Sequence, residues 1–199
     1  KRRYDTLARH GLPVAGIDVR IVDEMGKEMA WDGATMGELQ VRGPWVTSEY
    51  YNDPRGREKG KQESFLDGWF RTGDVATIDA EGYIQIMDRT KDLVKSGGEW
   101  ISSVDLENAI MAHPKVAEAA VIGVAHPRWE ERPVAAVAPL EQFRGKITKQ
   151  EILDFLQGKV AKWWLPDDVV FIDAVPKTSV GKFNKRALRE QFKDYKLPV

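Results

Sequence analysis

The chain has 199 residues, of which 42% are hydrophobic and 31% charged, a globular balance with room for one large domain or two small ones. A net charge of −1 argues against a chain built mainly to hold nucleic acid. The absence of cysteine excludes disulfides, cysteine zinc sites and thiol nucleophiles, and no apolar run is long enough for a transmembrane helix. The start, residues 1–4, has neither an initiator Met nor an apolar stretch behind it, so we expect no signal peptide and a chain cut from something longer.

The first half predicts a small β-rich unit. Apolar and polar residues alternate over residues 17–23, 38–43 and 82–88, as in half-buried strands. Residues 55–63 are charged and spaced by glycine, which favours a solvated loop or a short helix.

The second half mixes helices and strands. Ser102 or Ser103 can cap a helix that runs to about Ala112. Residues 116–124, 133–140 and 168–173 predict strands. A capping box at 148–151 predicts a second helix whose apolar face carries, in order, Ile152, Leu156, Val160 and Trp163.

A stripe of apolar side chains predicts a last helix, its members being Leu188, Phe192 and Tyr195. The element order is that of an α+β protein. Near residue 90 the sequence changes from alternating strand patterns to mixed helix and strand patterns. This change predicts two domains, a β-rich unit at 1–90 and an α+β unit at 91–199.

Three polar segments marked by glycine could carry chemistry. In residues 69–74 (Trp-Phe-Arg-Thr-Gly-Asp), the carboxylate of Asp74 follows a glycine turn and could accept hydrogen bonds from two vicinal hydroxyls, as of a ribose. Local chemistry alone favours an ordinary turn.

The second segment is residues 88–100. Gly97 and Gly98 allow a sharp bend or a close approach to a ligand, and Arg89 and Lys95 could meet phosphate or carboxylate oxygens. A charged connector between domains explains the glycines but not the crowding of charges.

The third segment, residues 176–185, resembles a phosphate loop only faintly, because Pro176 replaces the first glycine and Phe183 follows Lys182. A loop that presents Lys182 to a developing negative charge is one alternative. A solvated basic patch is the other, since Lys185 and Arg189 follow.

Other residues give weaker signals. Three scattered histidines form no metal-ligand cluster and are expected to be structural. Trp129, Trp163 and Trp164 are expected to pack rather than to stack on bases.

In this order and spacing, the segments resemble motifs from the C-terminal third of the adenylate-forming enzymes, the superfamily of acyl-CoA synthetases, firefly luciferase and peptide-synthetase adenylation domains. Residues 37–44 resemble a barrel-strand motif, 70–74 the [YF]-R-T-G-D motif and 176–182 the P-K-T-x-x-G-K motif. Residues 88–92 resemble the G-R-x-x-D hinge motif, with Asp88 in place of the usual Gly. The resemblance spans nearly the whole chain.

The resemblance implies a role for each matched residue. Asp74 and Arg89 would bind the ribose of ATP, Lys91 would be the hinge, and Lys182 would serve adenylation. Lys95, Gly97 and Gly98 would form the face used for thioester formation, where the pantetheine arm passes close to the backbone. The small domain at 91–199 would rotate between the two steps.

The implied reaction joins a carboxylate to ATP as acyl-AMP with release of pyrophosphate, and then to coenzyme A as a thioester. Residues 95–102 and 162–166 resemble medium- and long-chain fatty-acyl-CoA synthetases and also methylmercaptopropionate-CoA ligases. The family's phosphate loop, its adenine and Mg²⁺ motif and its acyl pocket belong to a large N-terminal domain that these residues do not contain. We therefore expect a fragment that is inactive alone, with Mg²⁺ bound through the missing part.

Two further classes remain alternatives. A docking module could keep the fold without catalysing a reaction, although such a module would have no reason to retain Asp74, Arg89 and Lys182 together. Nucleic-acid binding through residues 182–193 is disfavoured by the near-neutral charge and the lack of interleaved aromatics. We expect a cytoplasmic enzyme with a carboxylic acid, ATP and coenzyme A as partners, and the full-length parent could form a homo-oligomer.

Overall fold

The computed structural model describes residues 6–48 and 64–198. The chain divides into two compact units, Lys1–Lys91 and Asp92–Val199, so the division falls one residue after the predicted one. The charged segment predicted at 55–63 lies outside the described residues.

The first unit is built on one five-stranded antiparallel sheet. Its strands are β1 (Asp18–Val22), β2 (Gly37–Arg42), β3 (Phe65–Leu66), β4 (Trp69–Ile78) and β5 (Ile84–Arg89).

The strands of this sheet follow the order β1-β2-β4-β3, and β5 also pairs with β4. Ile21, Leu39, Ala76 and Ile78 are buried on one face. The strands predicted from alternation at 17–23, 38–43 and 82–88 are confirmed as β1, β2 and β5. Because β4 is long and central, its N-terminal half can carry functional side chains while its C-terminal half is buried.

The second unit combines strands and helices. Its elements in chain order are β6 (Val94–Ser96), β7 (Glu99–Ile101), α1 (Ser103–Met111), β8 (Val116–His126), β9 (Glu130–Pro139), α2 (Lys149–Leu156), β10 (Asp168–Phe171) and α3 (Lys185–Gln191), with single 3-10 turns at Glu141–Phe143 and Lys162–Trp164.

Strand β9 organises this unit. It pairs with β8 and β6 antiparallel and with β10 in parallel. Alternate residues of β8 point to opposite faces, as the two-residue period of a strand requires. Val121 joins the core with α1 and α2, and Ile122 joins the core with α3. The predicted α+β class is confirmed.

Both predicted helix starts have the expected caps. Ser102 Oγ accepts the Asp105 N–H at 3.1 Å, and Thr148 Oγ1 accepts the Glu151 N–H at 3.2 Å. Each bond satisfies a first-turn amide that has no partner within its helix.

The predicted length of the second helix is wrong. Helix α2 ends at Leu156, and Gly158 follows in the left-handed region with φ of 74°. Val160 and Trp163 therefore do not continue its apolar face, and Trp163 lies in the 3-10 turn. A glycine can adopt this backbone without the steric cost of a Cβ, so it ends a helix that periodicity alone would extend.

The last predicted helix is also shorter than expected, because α3 ends at Gln191 and Tyr195 lies beyond it. The Tyr195 hydroxyl instead donates to Asp168, which also accepts Lys149 Nζ at 2.5 Å. Burial raises the pKa of Asp168, but the bonds from Lys149, Tyr195 and the Val169 N–H outweigh it and lower the pKa overall.

This cluster predicts a loss of stability in alkali. Burial, with the hydrogen bond to Asp168, raises the pKa of Tyr195 from 10.0 to about 12. The stabilisation is therefore complete below pH 10 and is lost as the pH rises through about 12. We expect the free energy of unfolding to fall by about 1–2 kcal/mol more in the wild type than in Tyr195→Phe over this range, measured by denaturant titration. Parallel curves for the two proteins would contradict the assignment.

Within residues 6–48 and 64–198, no helix is both long and apolar enough to cross a bilayer.

Candidate functional site

Asp74 and Arg89 meet in the first unit. They are register partners on β4 and β5, and Arg89 Nε lies 2.8 Å from Asp74 Oδ1. The Arg89 side chain is 56% exposed and that of Asp74 25%, so the pair sits at the surface, accessible to a ligand. A carboxylate held by one arginine keeps acceptor positions for further donors.

The residues before Asp74 are held by β2. Arg71 Nη2 lies 2.8 Å from the Glu38 carboxylate, which is buried. Thr72 Oγ1 donates to the Leu39 carbonyl at 2.9 Å and accepts the Asp74 N–H at 3.1 Å. This bond fixes the backbone beneath Asp74. Sequence reasoning missed Glu38, although a glutamate between buried neighbours in a strand signals a paired charge.

Asp88, which replaces the usual glycine of the hinge motif, is buried. Its carboxylate accepts the N–H of Arg89 at 2.7 Å. The next residue, Thr90, donates its N–H to the Gly73 carbonyl at 2.9 Å. Lys91 is the last residue of the first unit.

Lys95, Gly97 and Gly98 share a β-hairpin of the second unit, here called the Gly97 hairpin (residues 94–101). The hairpin contains the Gly turn that the ligand-binding interpretation and the charged-connector alternative both include. Both glycines have positive φ, 62° and 84°. Such a turn suits glycine, and it exposes backbone that a ligand could approach.

Two neighbouring residues on β9 hold this hairpin. Glu131 Oε2 accepts the Lys95 N–H at 3.1 Å. Arg132 Nη1 donates to Ser96 Oγ at 2.9 Å, and its Nε lies 2.7 Å from Asp167 Oδ1. These partners are far apart in sequence, so local patterns could not reveal them.

The Gly97 hairpin also touches Trp129. The Gly97 N–H donates to the Trp129 carbonyl at 2.9 Å, and a Cβ on Gly97 would lie 2.9 Å from Trp129 Cε3. Trp129 is 40% exposed and Trp163 42%, so each packs only partly.

Replacement of Gly97 by alanine is expected to destabilise the second unit more than the same change at Gly98. Both variants place alanine at positive φ, but only Gly97 meets a ring, since nothing lies within 4 Å of a Cβ on Gly98. The difference in unfolding free energy should be roughly 1 kcal/mol. Equal losses in a denaturant titration of both variants would show that Trp129 moves aside at no cost.

Lys182 lies in an exposed loop of the second unit, here called the Lys182 loop (residues 176–184). The Thr178 N–H donates to the Lys182 carbonyl at 2.7 Å, and Thr178 Oγ1 accepts the Lys182 N–H at 3.2 Å. The side chain of Lys182 forms no ion pair with any described carboxylate. A cation presented in this way can approach anionic oxygens.

The basic stripe after Lys182 is not a free patch. Lys185 Nζ lies 2.7 Å from Glu107 Oε1, Arg189 Nη2 lies 2.6 Å from Asp92 Oδ1, and Lys193 pairs with Glu190 at 3.1 Å. The interpretation of this stripe as a solvated face is wrong for Lys185, whose side chain is only 11% exposed.

The histidines are bound into local structure. His113 is buried, and its Nδ1 accepts the Lys115 N–H at 3.2 Å. Burial lowers the pKa of His113, which favours the neutral ring. Among the residues described, no three His, Asp or Glu side chains come together as a candidate metal site.

Comparison with known proteins gives one consistent family. Residues 105–182 match the model of the AMP-binding enzyme C-terminal domain. The chain is 52% identical over 190 residues to a long-chain-fatty-acid–CoA ligase of Thermus thermophilus. It is 51% identical over 184 residues to a 3-methylmercaptopropionyl-CoA ligase of Ruegeria lacuscaerulensis. A medium-chain-fatty-acid–CoA ligase of Ectopseudomonas oleovorans is 41% identical over 186 residues.

Two solved structures are similar to this chain in both fold and sequence. ATP-bound MatB from Rhodopseudomonas palustris superposes with a TM-score of 0.79 at 38% identity, covering 95% of this chain and 37% of that one. The o-succinylbenzoate CoA synthetase of Bacillus subtilis, in complex with its acyl-adenylate, gives 0.77 at 30% identity, covering 98% of this chain and 37% of that one.

The alignments cover nearly all of this chain but only part of each ligase. They include 94%, 92% and 92% of this chain but only 34%, 33% and 32% of the respective ligases. The chain thus spans about a third of the length of these relatives.

Proposed function

Since this chain belongs to the family of AMP-binding, adenylate-forming enzymes, we propose that it supplies the adenylation lysine and part of the nucleotide site of an ATP-dependent acyl-CoA ligase. One observation carries the proposal. Lys182, the last residue of the matched domain, stands exposed on a loop anchored at both ends. We propose that residues 1–91 end the large adenylation domain and that 92–199 form its small C-terminal lid.

In the first step, a carboxylate oxygen of the acid attacks the α-phosphorus of ATP. A new P–O bond forms, the bond to the β-phosphate oxygen breaks, and pyrophosphate leaves with that electron pair. Both reactants are anions, so the barrier includes their repulsion. The ammonium of Lys182 would lie between them and stabilise the charge that develops on the phosphoryl oxygens.

Asp74 would orient the nucleotide. Its carboxylate can accept hydrogen bonds from both ribose hydroxyls, while the 2.8 Å contact with Arg89 holds it in place. The exposed Arg89 guanidinium has five donors, so it can contact the ribose while it keeps the bond to Asp74.

In the second step, the thiol sulfur of coenzyme A attacks the acyl carbonyl carbon. The C–S bond forms, the C–O bond to AMP breaks, AMP leaves as a phosphate monoester, and the thiol proton passes to solvent. We propose that the Gly97 hairpin serves this step, because Gly97 and Gly98 leave space for the pantetheine arm and Lys95 adds positive charge. Lys91, where the first unit ends, would be the hinge between the two steps.

The substrate is proposed to be a fatty acid, because the relatives named above include long- and medium-chain ligases. Methylmercaptopropionate is the alternative that a relative of nearly equal identity supports. Mg²⁺ would accompany ATP and be bound by the part of the relatives' length that this chain does not cover. A cytoplasmic location fits these substrates.

The proposed function is tested by pyrophosphate release from the full-length ligase with ATP and a panel of acids. The panel contains straight-chain acids from acetate to long fatty acids, together with methylmercaptopropionate. We expect release with at least one acid, and a thioester when coenzyme A is added. Absence of release with every acid would refute the ligase and leave the docking module.

A further inference from the structure

Two glutamates hold the two ends of the Lys182 loop. Glu118, on β8, contacts the residues that enter the loop, and Glu107, on α1, contacts the first residue after it. Neither belongs to a motif that the sequence singled out. Both act from within the second unit, so the arrangement is complete in this chain.

The entry side is held at the surface. Glu118 Oε2 accepts the Val175 N–H at 3.2 Å, and Oε1 accepts Lys177 Nζ. The Lys177 side chain is 46% exposed, so water weakens its attraction to Glu118.

The exit side is held in the interior. Lys185 Nζ lies 2.7 Å from Glu107 Oε1 and donates to Ser103 Oγ at 2.6 Å. Glu107 Oε1 also accepts the Val121 N–H of β8 at 2.7 Å. The two side chains are only 11% and 7% exposed. A buried carboxylate in this setting requires a cation, so the position of Lys185 is strongly restricted.

The position of Lys182 follows from these anchors. The Lys182 carbonyl accepts the Thr178 N–H and the Lys182 N–H donates to Thr178 Oγ1, so both bonds lie within the loop. The loop is closed at its base by the Asn184 N–H, which donates to the Pro176 carbonyl at 2.7 Å. A shift of Lys185 would therefore be passed to Lys182 through the backbone of the two residues between them, 183 and 184.

We propose that Lys185, through its ion pair with Glu107, is a positioning residue for adenylation: it fixes the Lys182 loop in the conformation that presents the Lys182 ammonium. The inference rests on the proposed role of Lys182 for its catalytic part only. Its structural part, that the ion pair orders the loop, holds or fails independently of any activity.

The structural part is tested by hydrogen exchange on this chain. Lys185→Met should accelerate exchange of the loop amides, with Thr178, Gly181 and Asn184 as reporters, by at least about tenfold relative to the amides of β9. The control is Lys149→Met, which removes the cation from a different buried carboxylate, Asp168, outside the loop. Uniform acceleration across the second unit, or none in the loop, would overturn the proposal.

A double variant distinguishes loss of order in the loop from unfolding of the whole unit. Lys185→Met combined with Glu107→Gln removes both charges and keeps an amide oxygen for the Val121 N–H. The double variant avoids the unpaired buried carboxylate of the single one, so it should fold stably and still show the fast-exchanging loop. A loop as protected as in the wild type would mean that packing alone orders it.

The catalytic part is tested on the full-length ligase by half-reactions. Lys185→Met should lower the rate of pyrophosphate release on the order of tenfold to a hundredfold, while thioester formation from supplied acyl-AMP changes little. Lys185→Arg keeps a cation and should recover most of the lost rate, and Lys149→Met should leave both half-reactions near wild type. Equal losses in both half-reactions, or no recovery in Lys185→Arg, would reduce Lys185 to a structural role.

The exchange and half-reaction experiments together distinguish failure of the proposed function from failure of the positioning role. If the wild-type ligase releases no pyrophosphate, the proposed function fails and the exchange experiment still decides whether Lys185 orders the loop. If release is normal and Lys185→Met matches the wild type, the positioning role fails while the proposed function stands.

Discussion

Replacement of Lys182 by alanine is expected to reduce pyrophosphate release from the full-length ligase on the order of a hundredfold to a thousandfold. The reason is the loss of one preorganised cation from a transition state in which two anions meet. Thioester formation from supplied acyl-AMP should continue, because no phosphoryl transfer occurs in that step. Stability should change little, since the side chain is exposed and lies outside any described ion pair.

The control for this experiment is Lys193→Ala. Lys193 is likewise an exposed lysine of the second unit, but it pairs with Glu190 and belongs to no motif. It should keep both half-reactions near wild-type rates. Retention of pyrophosphate release in Lys182→Ala would refute the adenylation role, and an equal loss in both half-reactions would indicate that the loop had collapsed.

The second large effect is expected at Asp74. Asp74→Asn keeps the shape of the side chain but removes the charge that strengthens its bonds to hydroxyls and to Arg89. With one charge-assisted bond to each ribose hydroxyl weakened, kcat/KM for ATP should fall on the order of a hundredfold. Steady-state kinetics with ATP as the varied substrate measures this loss.

The matched control is Asp18→Asn in the same unit. Asp18 Oδ2 lies 2.8 Å from Arg42 Nη2, so the variant weakens a similar surface pair outside residues 70–74 and 88–92. A second check uses 2′-deoxy-ATP, for which the penalty of Asp74→Asn should shrink because one bonding partner is already absent. An undiminished penalty with this nucleotide would show that Asp74 does not contact the 2′-hydroxyl.

The sequence was sufficient to predict the fold class and the placement of most strands. Alternation predicted β1, β2 and β5, and a cap at Ser102 or Ser103 and one at Thr148 predicted two helix starts, all of which are confirmed. Recognition of the adenylate-forming family from four short motifs is confirmed by the family match and the relatives. Each of these features depends on residues that are close together in the sequence, so sequence patterns can detect it.

Features that depend on contacts distant in sequence could not be predicted. The end of α2 was misplaced because the helical periodicity of apolar residues continued past Gly158, where the backbone turns left-handed. The bond between Lys185 and Ser103 joins residues 82 positions apart, and nothing near either residue predicts the other. The roles of Asp74 and Lys182 come from the family resemblance and remain proposals.

The buried pair of Lys185 and Glu107 also ties α3 to two other elements. Lys185 Nζ contacts Glu107 and Ser103, both on α1, and Glu107 Oε1 accepts the Val121 N–H of β8. Apolar contacts such as those of Leu188 hold the same helix against the sheet, but they are not directional. If α3 detached locally, Glu107 would be left as a buried carboxylate without its cation, which is costly. The ion pair therefore adds an electrostatic cost to any opening of α3, and it makes the start of this helix, where the loop ends, one of the places least able to open.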